Sequence, residues 1–159
     1  MTLRIFPTIG GGCSALLLLF GAGPALSEDL VATRIGDGTE IARLSVPEGG
    51  EWCVLWNHSV QGFPVTDCYE NRDGRMVLTR SRQPDFAAGL GHIPGRGRQV
   101  SDGEGGYWIL EIDEAVPGDA YVLRPGAGPV DHRLQVGDTV VSLSEAAARQ
   151  RVRIALTGD

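Results

Sequence analysis

Three histidines, at positions 58, 92 and 132, are the side chains of this sequence best suited to metal binding or catalysis. Imidazole and carboxylate groups are good zinc ligands, so these histidines with Asp67 or Asp85 form a candidate metal site. Their spacing contains no H-x-H or H-E-x-x-H pair, which close ligand sets usually have. We therefore expect no metal or other cofactor, and we keep a metal site as an alternative.

The His58-Ser59 dipeptide lies near Asp67 in the sequence and suggests a hydrolase. Nucleophilic catalysis needs a serine activated by a histidine that a third group orients. Adjacent residues of a strand point to opposite faces, so His58 is badly placed to activate Ser59. The sequence also lacks the G-x-S-x-G elbow. We predict that the protein is not an enzyme, with a hydrolase as the alternative, and that Ser59 bonds the turn backbone.

A glycine-rich stretch offers a third kind of chemistry, the binding of an anion. Its glycines, Gly89 and Gly91 among them, expose backbone N–H groups, and Arg96 lies close behind His92. Guanidinium groups such as those of Arg96 and Arg98 fork onto carboxylates. The stretch has no G-K-[ST] and so is not a P-loop. The alternative, which we favour, is a loop that crosses the domain with solvated arginines.

Short runs of β-branched and aromatic residues, separated by Gly and Pro turns, must position these groups. They predict roughly ten strands, at residues 30–35, 40–46, 51–58, 63–70, 76–79, 107–112, 120–124, 131–136, 139–143 and 152–156. The pattern predicts an all-β domain, either an antiparallel sandwich or a partly open barrel. One short C-terminal helix is predicted at 144–150, with Ser144 as N-cap. Residues 82–106 break the pattern and predict an ordered loop.

Two cysteines lie in the hairpin formed by strands 51–58 and 63–70. If the strands pair around a two-residue turn at Val60-Gln61, Cys53 lies directly opposite Cys68. Opposed Cβ atoms lie about 4.5–5.5 Å apart, close to the distance a disulfide needs. We predict this disulfide, with two free thiols as the alternative. The same register places His58 and Asp67 on one face but not opposite each other, which disfavours a His–Asp dyad.

The first 27 residues have the features of a secretory signal peptide. Arg4 precedes a leucine-rich core, and Ala25-x-Ser27 supplies small residues for cleavage. We predict cleavage after Ser27, a periplasmic or secreted location, and one β domain over residues 28–159. The alternative is an uncleaved membrane anchor, although the leucine core is short for a span. The oxidising compartment that receives an exported protein would also favour a disulfide between the two cysteines.

Charge limits the possible partners. The chain has 14 basic residues, all arginine, against 20 acidic ones, for a net charge of -6. An acidic chain without a basic run is a poor candidate for nucleic acid or anionic membranes. Hydrophobic residues make up 42% and charged residues 21%, as in globular proteins.

Several short motifs resemble a known family. They are Trp56-x-His58-Ser59-Val60, Pro64-Val65-x-Asp67-x-Tyr69, Gly89-x-Gly91-x-x-Pro94, Gly106-Tyr107 and His132-x-Leu134. Over roughly residues 52–143 the chain resembles the family catalogued as domain of unknown function 1850. Its members are small exported proteins often encoded beside the fused permease of TAXI-type TRAP transporters, which import organic acids with a periplasmic binding protein. The two cysteines resemble a subgroup feature.

The resemblance implies an exported accessory domain of a TRAP-type importer, in contact with the permease or its periplasmic binding protein. The alternative is a domain that binds a small ligand or organic anion, and a metal protein or hydrolase comes third. The candidate binding residues are His58, Ser59, Asp67, Gly89, Gly91, His92, Arg96 and His132. We expect His58, at a strand end beside a turn, to act in contact or binding rather than in folding.

Overall fold

The computed structural model describes residues 27–84, 93 and 95–158, which form two layers of antiparallel β-sheet. The elements are β1 (Ser27–Arg34), β2 (Glu40–Pro47), β3 (Glu51–Asn57), β4 (Pro64–Arg72), β5 (Arg75–Gln83), β6 (Arg98–Ser101), β7 (Tyr107–Leu110), β8 (Glu114–Ala115), β9 (Ala120–Leu123), β10 (Arg133–Val136), β11 (Thr139–Ser142), α1 (Leu143–Ala147) and β12 (Val152–Thr157). The predicted all-β sandwich is confirmed, and the sheets do not close into a barrel.

The strand order separates the layers. The smaller sheet runs β2-β1-β12-β9, and the larger runs β11-β10-β3-β4-β5-β7-β6, with β8 paired to β5. Alternate residues of each strand point inward, as the two-residue period of a strand requires. Trp52 and Val54 of the larger sheet and Leu30 and Ile154 of the smaller are therefore buried in one core. Each such side chain contributes about 1.5–3 kcal/mol by leaving water.

The β3–β4 hairpin has the predicted register. Cys53 pairs with Cys68, their Cα atoms are 4.1 Å apart, and the predicted disulfide joins them. The turn is wider than the predicted two-residue turn: the His58 N–H donates to the Phe63 carbonyl at 2.7 Å, and the Gly62 N–H donates to the His58 carbonyl at 2.8 Å. Gly62 has φ +73°, which glycine adopts without strain. The wider turn keeps the same centre, so the register is unchanged.

The C-terminal helix begins earlier than predicted. Ser142 is its N-cap, and its hydroxyl oxygen accepts from the Glu145 N–H at 3.1 Å. The assignment of Ser144 as N-cap was therefore wrong, because β11 runs directly into the helix and Ser144 is already inside it and buried.

The segment predicted as a loop at 82–106 contains one short strand, β6, which pairs with β7. Just before it, Gly97 has φ +65°, and a Cβ at this position would clash with the Leu110 carbonyl oxygen. Only glycine lets the chain approach β7 this closely. Residues 85–92 and 94 of the predicted loop lie outside the described residues.

Residues 1–26, with most of the predicted signal peptide, also lie outside the described part of the chain. Within the described part, no helix has the length and apolar character needed to cross a membrane. Export and cleavage remain predictions.

Candidate functional site

A cavity of about 200 Å³ opens between the edge strand β9 and the inner face of the larger sheet. Its lining combines aromatic, aliphatic and ionisable side chains: Val54, Trp56, Asp67, Tyr69, Tyr121, Leu123 and His132. They come from β3, β4, β9 and the residue before β10. The cavity brings together two of the predicted site residues, Asp67 and His132.

Strand alternation explains these positions. Val54 and Trp56 are two residues apart on β3, as are Asp67 and Tyr69 on β4, and Val54 lies directly opposite Asp67. All four therefore share the inward face of the sheet. Asp67 is the charged member of this group, since the other three side chains are aliphatic or aromatic.

Asp67 is held by polar groups of the next strand. Ser81 lies opposite it on β5, and the Ser81 hydroxyl donates to Asp67 Oδ1 at 2.5 Å. The Gln83 amide donates in turn to Ser81 Oγ. Ser81 is 1% exposed and Gln83 is also buried. A hydroxyl group has one proton to donate. Because Ser81 Oγ accepts from the Gln83 amide, that proton points at Asp67. This Gln83–Ser81 row therefore presents a hydrogen-bond donor to the Asp67 carboxyl.

Burial controls the electrostatics of this corner. It raises the pKa of the Asp67 carboxyl, while the Ser81 hydrogen bond and the charge of Arg96 act in the opposite direction. Burial also raises the pKa of Tyr69, with a smaller contribution from Asp67, and the pKa of Tyr121. Both phenols therefore remain neutral hydroxyl groups.

His132 reaches the cavity from the other side of β3. Its ring stacks on Trp56, with centroids 5.7 Å apart and planes 3° from parallel. Its Nδ1 accepts from the Gly126 N–H at 3.1 Å, so a neutral ring carries its proton on Nε2. Burial lowers the pKa of His132, and Asp131 opposes this shift. The ring is thus a neutral, oriented hydrogen-bond donor.

The buried Ser144 fixes the backbone at Gly126 and His132. Ser144 Oγ accepts from the His132 N–H at 2.8 Å and donates to the Gly126 carbonyl at 2.6 Å. The backbone on both sides of the imidazole is thereby held in place.

Asp67 and His132 do not form a dyad. Strand β3 lies between them, and a strand spacing of about 4.8 Å separates them by roughly 10 Å across the sheet. Two such groups can contact opposite ends of one small molecule, but neither can orient the other for nucleophilic catalysis.

His58 and Ser59 lie at the β3–β4 turn, away from the cavity lining. His58 Nδ1 faces the N–H groups of Val60 and Gln61, each at 3.4 Å, and so closes the turn. Ser59 is exposed. The contact role predicted for His58 remains a prediction.

The arginines of the glycine-rich stretch already have acidic partners. Arg96 forks onto Glu114, with bonds of 2.7 and 2.8 Å, and Arg98 pairs with Glu111 at 3.1 Å. Neither arginine lines the cavity, although the charge of Arg96 reaches Asp67. Three other predicted site residues, Gly89, Gly91 and His92, lie outside the described residues, as does Asp85.

Metal ligands converge at one point of the described residues, where Glu51 lies beside Cys53 and Cys68. Both sulfur atoms belong to the disulfide and offer no thiolate. Within the same residues, His58 and His132 are not part of such a cluster.

Seven residues of the site were not among the predicted site residues: Val54, Trp56, Tyr69, Tyr121, Leu123, Ser81 and Gln83. The signal for two of them was present, because Ser81 and Gln83 alternate with arginines along a strand. Small polar residues on the inward face of a strand call for a buried polar partner.

Residues 53–143 match the model of a family described as Domain of unknown function (DUF1850). No curated protein and no solved structure shows a significant match to the chain.

Proposed function

We propose that this chain, which belongs to the DUF1850 family, is a non-catalytic domain that binds a small organic ligand in the cavity beside β9. The observation that carries the proposal is the convergence of the Asp67 carboxyl, the His132 imidazole and two phenols on one aromatic-walled cavity. A few placed polar groups in an apolar cleft are typical of ligand sites.

The cavity is small and preformed. Its volume of about 200 Å³ lies below the usual range for drug-sized ligands, so the ligand has few heavy atoms. Ser81 holds Asp67, and Gly126 and Trp56 hold the His132 ring, before any ligand arrives. Groups that are already ordered lose little entropy on binding, which favours affinity for a small molecule.

Two variants of β9 test this proposal. Leu123 lines the cavity, whereas its neighbour Val122 is 47% exposed. Ligand-observed NMR with a fragment library should find ligands that bind the wild type and Val122→Trp, but not Leu123→Trp, whose indole fills the cavity. Circular dichroism would establish that both variants are folded. Equal binding by the two variants, or no ligand for the wild type, would contradict the proposal.

The TRAP association that the family resemblance implies is a second proposal, namely that the exported domain contacts a TAXI-type permease or its binding protein. An exposed apolar tip at the β3–β4 turn supports a contact role, since Val60 is 84% and Phe63 46% exposed. Such residues together favour a protein contact over solvent. Crosslinking and pull-down from native membranes should recover the permease with wild type and lose it with Phe63→Asp.

Val140→Asp is the matched control, because Val140 is 53% exposed on β11, away from the turn. Recovery of the permease with Phe63→Asp, or its absence with wild type, would contradict the association.

Export is part of the same proposal. Mass spectrometry of the periplasmic protein should find Glu28 as its first residue, whereas an intact membrane-held chain would refute cleavage.

A further inference from the structure

We propose that the cavity ligand is an organic ammonium cation, with the Asp67 carboxylate as its counter-ion and the rings of Trp56 and Tyr121 beside it. The inference rests on the proposed ligand-binding function and names the chemical class of the ligand. It departs from the organic anion considered from the sequence.

The charges of the cavity wall carry the inference. Asp67 is the acidic residue of the lining, and no arginine lines the cavity among the described residues. His132, whose pKa burial lowers, adds no positive charge near neutral pH. An organic anion placed here would face a carboxylate, and the lining formed by the described residues supplies no free cation to offset it, whereas an ammonium group would gain a partner.

The rings add a second attraction to cations. Trp56 and Tyr121 both line the cavity, whereas Tyr69 already stacks on Trp52 and on Tyr121, with centroids 5.7 and 5.1 Å apart. The face of an aromatic ring carries negative potential and attracts a cation within about 6 Å, most strongly where water is excluded. Aromatic walls beside one carboxylate are a recurrent arrangement for quaternary ammonium ligands.

Arg96 is the basic group whose charge acts on Asp67. The Glu114 carboxylate forks onto its guanidinium and offsets its charge. Arg96 therefore leaves Asp67 without a directly bonded cation. The hydrogen bond that Asp67 accepts within the described residues comes from the neutral Ser81 hydroxyl.

A cationic ligand would offset the free energy that is lost when an unpaired carboxylate is buried at position 67. Burial disfavours the charged form of Asp67, yet the Gln83–Ser81 row presents it with a donor, which suits the ionised form. A bound cation would stabilise that form, so binding and ionisation of Asp67 favour each other.

Three ligands of one shape and different charge test the inference. They are choline, its neutral carbon isostere dimethylbutanol, and the anion dimethylbutyrate. Calorimetry with the purified protein near neutral pH should show choline binding at least about tenfold more tightly than the alcohol, with the anion weakest. Tetramethylammonium and butylammonium, measured alongside, cover other ammonium shapes.

Asp67→Asn keeps the acceptor for Ser81 and removes the charge. It should remove most of the preference for choline over the alcohol, with the contribution of the rings remaining, and leave the affinity for the alcohol unchanged. Asp138→Asn, at an exposed turn position, should bind like wild type. A preference for the anion or the alcohol over all three ammonium ions would overturn the inference while leaving the ligand-binding function intact. Loss of all binding, together with no fragment sensitive to Leu123→Trp, would overturn both.

Discussion

The inner and outer faces of the larger sheet carry the same kind of bond in different surroundings. On the inner face, Ser81 donates to the Asp67 carboxyl at 2.5 Å. On the outer face, Arg80 donates to the Glu51 carboxylate at 2.5 and 2.6 Å. Ser81 is 1% exposed, whereas the side chains of Glu51 and Arg80 are 36% and 38% exposed. Water therefore competes more readily for the outer bonds than for the bond of the buried Ser81 hydroxyl.

Buried and exposed polar groups constrain this protein to different degrees. An exposed ion pair exchanges freely with solvent and contributes little. A buried polar group without its partner loses a full hydrogen bond. The inner face therefore fixes the site, while the outer face carries the covalent bond between Cys53 and Cys68.

Removing the disulfide should have the largest effect. Cys53→Ala with Cys68→Ala should lower the free energy of unfolding by about 3 kcal/mol, because the bridge closes a loop with a sequence separation of 15. Alanine is preferred because Cys68 is fully buried and a serine hydroxyl there would lack a partner. Urea denaturation measures the change. Reduced wild type is the control and should match the double variant.

Ligand binding by the folded double variant should equal that of wild type, because neither cysteine lines the cavity. Loss of binding in protein that is still folded would show that the two faces are coupled through the sheet.

Ser81→Ala should have the next largest effect. It removes the donor to Asp67 and the acceptor for Gln83 and should cost about 1–3 kcal/mol. Thermal and urea unfolding would measure it. Ser59→Ala, at an exposed turn residue, is the control and should change stability by less than about 0.5 kcal/mol. An equal effect of the two variants would contradict a special contribution from the buried hydroxyl of Ser81.

Asp67→Asn should stabilise the free protein near neutral pH. Because the folded-state pKa of Asp67 is raised above the ordinary value of 3.8, the folded state retains a proton that the unfolded chain has released. The contribution of this carboxyl to stability therefore falls as pH rises from about 3.8 through the folded-state pKa. Asparagine has no such loss.

Melting temperatures at pH values from acidic to neutral would measure this difference. The advantage of Asp67→Asn over wild type should grow with pH and then level off. A constant difference at every pH would mean that Asp67 titrates alike in the folded and unfolded chains. If Asp67→Asn melts at a higher temperature than wild type and also loses the binding of cations, then the carboxylate serves binding at a cost in stability.

The sequence predicted the hairpin because its information is local. Trp52 to Tyr69 alternate in one short stretch, so the register, the two faces and the disulfide followed from the period of a strand. Asp67 and His132 were among the predicted site residues, and both line the cavity.

The cavity itself could not be predicted in this way. Its outer wall is β9, whose Tyr121 reaches Tyr69 only after the chain has crossed to the smaller sheet. The pairing of Ser81 with Asp67 also depends on an irregularity in the β4–β5 register between Cys68 and Tyr69, which no periodic pattern contains. The predicted strands also ran one residue too far at the turn, to His58 and from Phe63, because the strand period does not mark where a turn begins.

Arg80→Ala should have the smallest effect. It removes the ion pair with Glu51 and the contact of the guanidinium with the Trp108 ring, 5.6 Å from its centroid. Both groups are partly exposed, so we expect a loss below about 1 kcal/mol, and less in high salt, where surface charges are screened. A double-mutant cycle with Glu51→Gln would isolate the ion pair from the ring contact. A coupling above about 2 kcal/mol, or one that does not change with salt, would show that the outer face is as dry as the inner one.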